Sequence, residues 1–198
     1  MTDYTKVYNG ISKAIWGYFF LYFNINLGTI SILPSFIGYI LFLKSIDLLQ
    51  DEERELSLLK TLGVILGIWE GIQWLANCVG YSFDGKWQFI NLIIGLLNLY
   101  FHFQFITNLA SIAKKHQQES CIYDRNLLTY RTILTILQTI FIVFTTFNFI
   151  LEEVMIYITV ILGIIFVIVC IGIMVILNQL RKHLKNDEEI TEENSITE

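Results

Sequence analysis

Long apolar runs joined by short polar links make up almost the whole chain. Six of them are visible, Ile11–Leu27, Pro34–Leu49, Leu58–Val79, Trp87–Ile112, Leu127–Leu151 and Val154–Leu180. Each approaches the ~20 residues that a helix needs to cross about 30 Å of hydrocarbon. Only Glu152 and Glu153 separate the last two runs. Adjacent carboxylates do not stay ionised in mid-bilayer, so they are expected in a tight turn at the surface, which makes the final runs a hairpin. The pattern predicts an all-α, polytopic membrane helix bundle with six transmembrane helices. It is preceded by a cytoplasmic N-terminus (1–10) and followed by an acidic, disordered cytoplasmic tail (181–198).

Basic residues test the count independently, because short loops rich in Lys and Arg stay cytoplasmic. With six spans, one side receives Lys6, Lys13, Lys44, Arg54, Lys60, Lys114, Lys115, Arg125, Arg131, Arg181, Lys182 and Lys185. Of the 13 basic residues, Lys86 alone falls on the other side. Both termini are therefore expected inside. The first run carries Lys13, Asn24 and Asn26 and lacks a small-residue cleavage site, so it reads as a retained span. Trp87, Tyr81 and Tyr157 fall near outer ends and Tyr4, Tyr8 and Tyr130 near inner ends, as interfacial anchors do.

Composition agrees: 55% of residues are hydrophobic, 16% are charged and mean hydropathy is +0.58. The net charge of −5 comes from the polar run after Lys185, which holds six acids; without them the chain is near neutral. No basic patch exceeds what orientation explains, so nucleic acid is not an expected partner. The lipid bilayer is, together with a second copy of the chain or another membrane subunit.

Inside the spans, polar residues fall on particular faces. At 100° per residue, Gly63, Gly67, Glu70, Gly71, Trp74 and Asn77 share about a third of the third helix. Four-residue glycine spacing lets a second backbone approach closely. Glu70 is an acid in an apolar run, and an embedded carboxylate is a functional candidate by default. The fourth span carries a matching stripe, Gln88, Asn91, Gly95, Asn98 and His102. Matching depths about the Ser82–Lys86 turn pairs Asn77 with Asn91, Gln73 with Gly95 and Glu70 with Asn98, with His102 one turn further in. Glu70, Asn98 and His102 are thus expected to cluster, either as a titratable or solute-binding site or as interhelical polar glue worth about 1 kcal/mol.

Other features carry less chemistry. Thr132, Thr135, Thr139 and Thr146 form a stripe on the fifth span, with Gln138 and Asn148 beside it; threonine hydroxyls can bond their own helix's carbonyls. Arg131 is expected to snorkel to the inner surface. Gly28 ends the first helix and Pro34 starts a short second one. The link between them either dips into the membrane, exposing a helix N-terminus as an anion or carbonyl site, or reflects a tilted or thinned bilayer. Cys78, Cys121 and Cys170 lie at different depths, and His102, His116 and His183 are scattered, so neither a disulfide framework nor a metal site is expected. No cofactor is implied.

The segment with Asn26, Gly28, Ile32, Leu33, Pro34, Gly38 and Tyr39 resembles a stretch of small bacterial polytopic membrane proteins without an assigned activity. That resemblance covers the first two spans and implies a bacterial cytoplasmic membrane, with no chemistry to transfer. Nucleophile-elbow, HExxH, GxGD and P-loop patterns are all missing from the sequence. Glu152-Glu153 lacks the arginine and later histidines that paired glutamates need in CAAX-type membrane proteases. An enzyme is therefore not expected. Two classes remain: an accessory or structural membrane subunit acting through helix contacts, and a small-solute or proton-coupled transporter component with its site around Glu70.

Overall fold

A computed structural model describes residues 4–196 except 24–25, 28–29, 32, 82, 84–86, 119 and 147–152; at 26–27, 30–31, 153–155 and 186–196 it describes the backbone alone. The described residues form six α-helices: α1 (Tyr4–Tyr22), α2 (Ser35–Leu49), α3 (Leu59–Cys78), α4 (Gln88–His116), α5 (Tyr123–Thr146) and α6 (Glu153–Ile196). A 3-10 turn, Arg54–Leu58, joins α2 to α3. Between α1 and α2, β1 (Asn26–Leu27) pairs antiparallel with β2 (Ile30–Ser31), Asn26 opposite Ser31. Three helices are long and apolar enough to cross a membrane: Gln88–His116, Tyr123–Thr146 and, within α6, Ile156–Lys185.

Several boundaries differ from the sequence pattern. α1 begins at Tyr4 and ends at Tyr22, because Lys6, Asn9 and Lys13 lie on or beside its less buried side while Val7, Gly10, Ile11, Ala14, Gly17 and Tyr18 make a continuous buried stripe. Apolar residues at three- and four-residue steps extend a helix through charged positions on its other face. α6 likewise continues past Leu180 through Ile196, so a helical backbone runs on into the acidic segment. Gly28, Glu152 and the Ser82–Lys86 turn, apart from Phe83, fall outside the described residues.

The helices close into a ring in chain order, each packed against its sequence neighbours, with α6 returning to α1. Consecutive helices run antiparallel, as short links require. The α1–α2 seam is the most extensive and the α3–α4 seam the sparsest. Close approach on the first seam rests on glycine: a Cβ on Gly38 would stand 2.8 Å from the Gly17 carbonyl oxygen, and one on Gly17 would stand 2.7 Å from the Phe42 ring. Ser45 on α2 donates its hydroxyl hydrogen to the Gly10 carbonyl oxygen of α1, 2.8 Å away and buried.

Six helices in a ring leave a centre that large side chains must fill. Tyr18, Tyr39, Phe42, Phe101 and Phe105 fill it, all fully buried. Buried residues of α6 concentrate between Val169 and Leu184, whereas Ile156, Tyr157, Val160, Ile161 and Ile164 are exposed. The core therefore occupies the half of the ring near the α2–α3 link. An exposed apolar face of that kind is compatible with insertion into a membrane.

The end of the ring at that link is polar. Ser111 donates to the Glu53 carboxylate at 2.6 Å, Lys115 pairs with the same carboxylate at 3.3 Å, and His116 meets Glu52 at 3.1 Å. The Ser111 hydrogen bond, against an opposing effect of burial and with further help from the Lys115 ammonium, holds the Glu53 carboxyl below the usual carboxylate range. Gln104 reaches Glu55 at 2.9 Å, so the acidic link is laid along one stripe of α4.

Candidate functional site

Glu70 does not join α4. Its carboxylate accepts a hydrogen bond from Ser35, the first residue of α2. Gly63 and Gly67 face Leu43 and Tyr39 of α2 in the same antiparallel register, and a Cβ placed on Gly71 would meet nothing within 4 Å. Gly67 thus packs on α2, and Gly63 lies where Leu43 of α2 and Phe101 of α4 both approach it, at 3.0 and 3.3 Å from an added Cβ. A carboxylate beside a helix N-terminus meets the positive end of the dipole and unbonded backbone donors. Two features of the sequence, the embedded acid and the proline-started short helix, thus satisfy each other. Ser35 faces a residue eight positions before the end of α3, so α2 starts about 12 Å short of that end at 1.5 Å per residue.

The hydrogen-bond partner of Glu70 is thus on α2, whereas Asn98 and His102 of the expected cluster are on α4. Tyr39 of α2 neighbours both residues: it lies within electrostatic reach of Glu70, and its ring centroid is 6.4 Å from that of His102. His102 is fully buried in a shell of Tyr18, Tyr22, Phe42 and Phe101 at centroid distances of 5.6, 5.9, 5.6 and 5.3 Å. Neither ring nitrogen has a hydrogen-bond partner among the described residues, nor do the Tyr18 and Tyr39 hydroxyls or Asn98 Oδ1. Buried polar atoms are normally bonded, and around this aromatic core the imidazole nitrogens and the Tyr18 and Tyr39 hydroxyls lack such partners among the described residues.

Asn98 lines an open-sided pocket of about 240 Å³ formed by α1, α4, α5 and α6, together with Tyr22, Gly95, Gln138, Phe141, Ile142 and Phe166. Tyr22, Phe166 and Phe141 form an edge-to-face series, with centroids 5.1 and 5.9 Å apart. Gln138 Nε2 donates to the Tyr22 hydroxyl across a long 3.4 Å. Gly95 supplies the room, since a Cβ there would meet only Ile142 at 3.4 Å. His102 lies one helical turn from Asn98 on the same face and touches Tyr22, so the orphan imidazole sits beside the cavity wall.

The remaining polar positions hold structure. Asn91 Nδ2 donates to the Phe83 carbonyl at 2.9 Å and Gln88 Nε2 to the Thr146 carbonyl at 2.6 Å. Gln73 is half-buried on α3 and Asn77 is exposed, so Asn77 does not pair with Asn91. Thr132, Thr135, Thr139 and Thr146 each bond the carbonyl four residues back, as threonines in such helices can. Arg131 does more than snorkel: Nη1 donates to Thr107 Oγ1 at 2.9 Å and the guanidinium lies 4.3 Å from the Phe103 ring centroid, tying α5 to α4. Sequence reasoning misses Tyr22, Phe141 and Phe166; nothing in their spacing separates cavity aromatics from core aromatics. Gln138 is visible as a polar residue in an apolar run.

These observations define the class: a helical bundle with three helices long and apolar enough to cross a membrane. No family model, no curated protein and no solved structure matches the chain.

Proposed function

We propose that the chain is a six-span integral membrane protein with both termini on the inner face, and that it takes a small solute into the cavity between α1, α4, α5 and α6. It would serve as a solute-binding component of membrane transport, in a bacterial cytoplasmic membrane as the resemblance of the first two spans implies. The observation that carries this reading is the open-sided pocket of about 240 Å³ lined by Asn98, Gln138 and Tyr22. Sites of this kind are largely apolar with a few placed polar groups, and in bundles they lie between helices. Ring order and the twelve basic residues confined to one side support the six-span topology, and the apolar exposed face of α6 supports lipid contact.

Thermal stabilisation of the purified protein against a panel of vitamins, amino acids, nucleobases and ions tests the proposal, because a ligand of the folded state raises apparent stability. At least one solute should raise the melting temperature saturably. Gly95→Ala should weaken that response at least tenfold by projecting a methyl group into the cavity, while Glu70→Gln should change it less than twofold. Silence across the panel favours the accessory reading, in which the bundle acts through helix contacts alone. Loss of the response in Glu70→Gln with Gly95→Ala unaffected would return the site to Glu70.

A further inference from the structure

The exterior of the α2–α3 seam carries an open-sided groove of about 250 Å³ that shares no residue with the pocket formed by α1, α4, α5 and α6. Ile40 and Leu43 of α2 and Val64 and Ile68 of α3 wall it, and Gly63 and Gly67 supply the recess, having no side chains to fill it. Ile40, Val64 and Ile68 are exposed, and Ile65 and Ile72 carry the apolar surface on along α3. Helices approach closely in a membrane where small residues form the surface, but here branched side chains stand on either side of the glycines. A helix about 10 Å across would rest on those ridges, whereas a single flexible chain of methylenes can lie between them.

Charge marks one end of the groove. Lys44 lies one helical turn beyond Ile40, and Lys60 one turn before Val64, so both walls continue into a lysine toward the α2–α3 link. Lys60 Nζ meets Asp47 at 2.6 Å, which ties the two walls together. Lys44 is exposed and makes no ion pair among the described residues. The carboxylates of the link are engaged elsewhere, Asp51 with Lys6 and Glu52, Glu53 and Glu55 with α4. Two cations against one carboxylate leave this end positive. From Lys44 to Phe36, which lines the far end, α2 rises about 12 Å at 1.5 Å per residue, most of the ~15 Å that one leaflet contributes to the hydrocarbon.

Resting on the membrane placement proposed above, with the α2–α3 link on the inner face, we infer that the groove binds an anionic glycerophospholipid of the inner leaflet, one acyl chain lying between Ile40 and Val64 and the phosphate meeting Lys44. Basic positions at the inner ends of transmembrane helices attract such headgroups. A zwitterionic lipid brings its own cation beside the phosphate, so the unpaired Lys44 favours a headgroup with net negative charge.

Three probes separate chain from charge: phosphatidylglycerol, phosphatidylcholine with the same acyl chains, and water-soluble glycerol 3-phosphate. Purified full-length protein in neutral detergent is titrated with each and the apparent melting temperature followed. Phosphatidylglycerol should give a saturable rise, phosphatidylcholine should need about fivefold more for the same rise, the worth of one lysine beside an anionic headgroup, and glycerol 3-phosphate should give none. Lys44→Gln should bring phosphatidylglycerol down to the level of phosphatidylcholine and leave the latter unchanged. Val64→Trp should weaken both lipids at least fivefold by laying an indole across the groove; Ile40→Trp, on the opposite wall, makes the same comparison if Val64→Trp does not fold. Equal responses to the two lipids, a preference that survives Lys44→Gln, or an equal rise with glycerol 3-phosphate overturns the proposal. So does silence toward both lipids, and a wild-type dimer that Val64→Trp splits in that case would give the groove to a second copy. The solute response and its Gly95→Ala control are read separately, so either reading can fail while the other stands. Labelling of Cys121 from outside intact cells, with the lipid preference intact, would overturn the assignment to the inner leaflet.

Discussion

Gly38→Leu is expected to leave no monodisperse folded protein, and Gly38→Ala to lower stability by about 1–3 kcal/mol, the usual cost of overpacking a filled site. Gly38 is the position where α2 comes closest to the backbone of α1: an added Cβ would lie 2.8 Å from the Gly17 carbonyl oxygen and 3.2 Å from the Leu21 nitrogen. Backbone cannot rotate away as a side chain can. At Gly10 and Gly17 the obstacles are the Leu49 and Phe42 side chains, so their alanine variants should cost less. Gly71 has nothing within 4 Å, and Gly71→Ala should gain up to the ~0.5–1 kcal/mol of a glycine removed from a helix interior. Reversible unfolding of the alanine variants in mixed micelles would order them; a Gly38→Leu protein that unfolds like the wild type would sink the account of the α1–α2 seam.

His102→Phe should stabilise the protein. Each buried polar group left unpaired costs about 1–3 kcal/mol, both imidazole nitrogens are in that state among the described residues, and the surrounding rings can accept a phenyl of similar outline. A gain of about 1–3 kcal/mol in the same assay is the expected result. Such a gain marks a polar residue kept for something other than stability, as functional positions often are. A loss of that size would show that the imidazole is hydrogen-bonded in the membrane, and the orphan core would cease to be evidence for function.

Much of the helical architecture can be read from the sequence, because apolar run length and charge placement are both strong and local. α2, Ser35–Leu49, and α3, Leu59–Cys78, start and end within a residue or two of their apolar runs. α1 is less legible: its first turns carry Lys6 and Lys13, and only the recurrence of Val7, Gly10, Ile11 and Ala14 on one face reveals a helix that hydropathy alone starts too late. Both polar stripes, on α3 and α4, are legible as faces. Which helix each one meets is not. Depth matching about a short turn assumes that consecutive helices turn their polar faces toward each other, whereas in a ring each helix has two neighbours and a centre. On α3, Gly63 and Gly67 pack against Leu43 and Tyr39 of α2 and Gly63 also against Phe101 of α4, while Asn98 of α4 lines the open pocket and His102 is buried among aromatic rings. Tyr39, which meets Gly67 and neighbours His102, carries no signal in sequence that would separate it from an ordinary core aromatic.

Alternation of the links across a membrane is the claim on which the rest depends, and the chain contains its own reporters. Cys78 ends α3 and is exposed, Cys121 lies in the α4–α5 link and is partly exposed, and Cys170 is buried in α6. A membrane-impermeant maleimide applied to intact cells, and again after permeabilisation, reads the side of each thiol. Cys78 should label from outside, Cys121 only after permeabilisation, and Cys170 in neither case. Labelling of Cys78 and Cys121 from the same side would mean that α4 does not cross, and would contradict the six-span bundle.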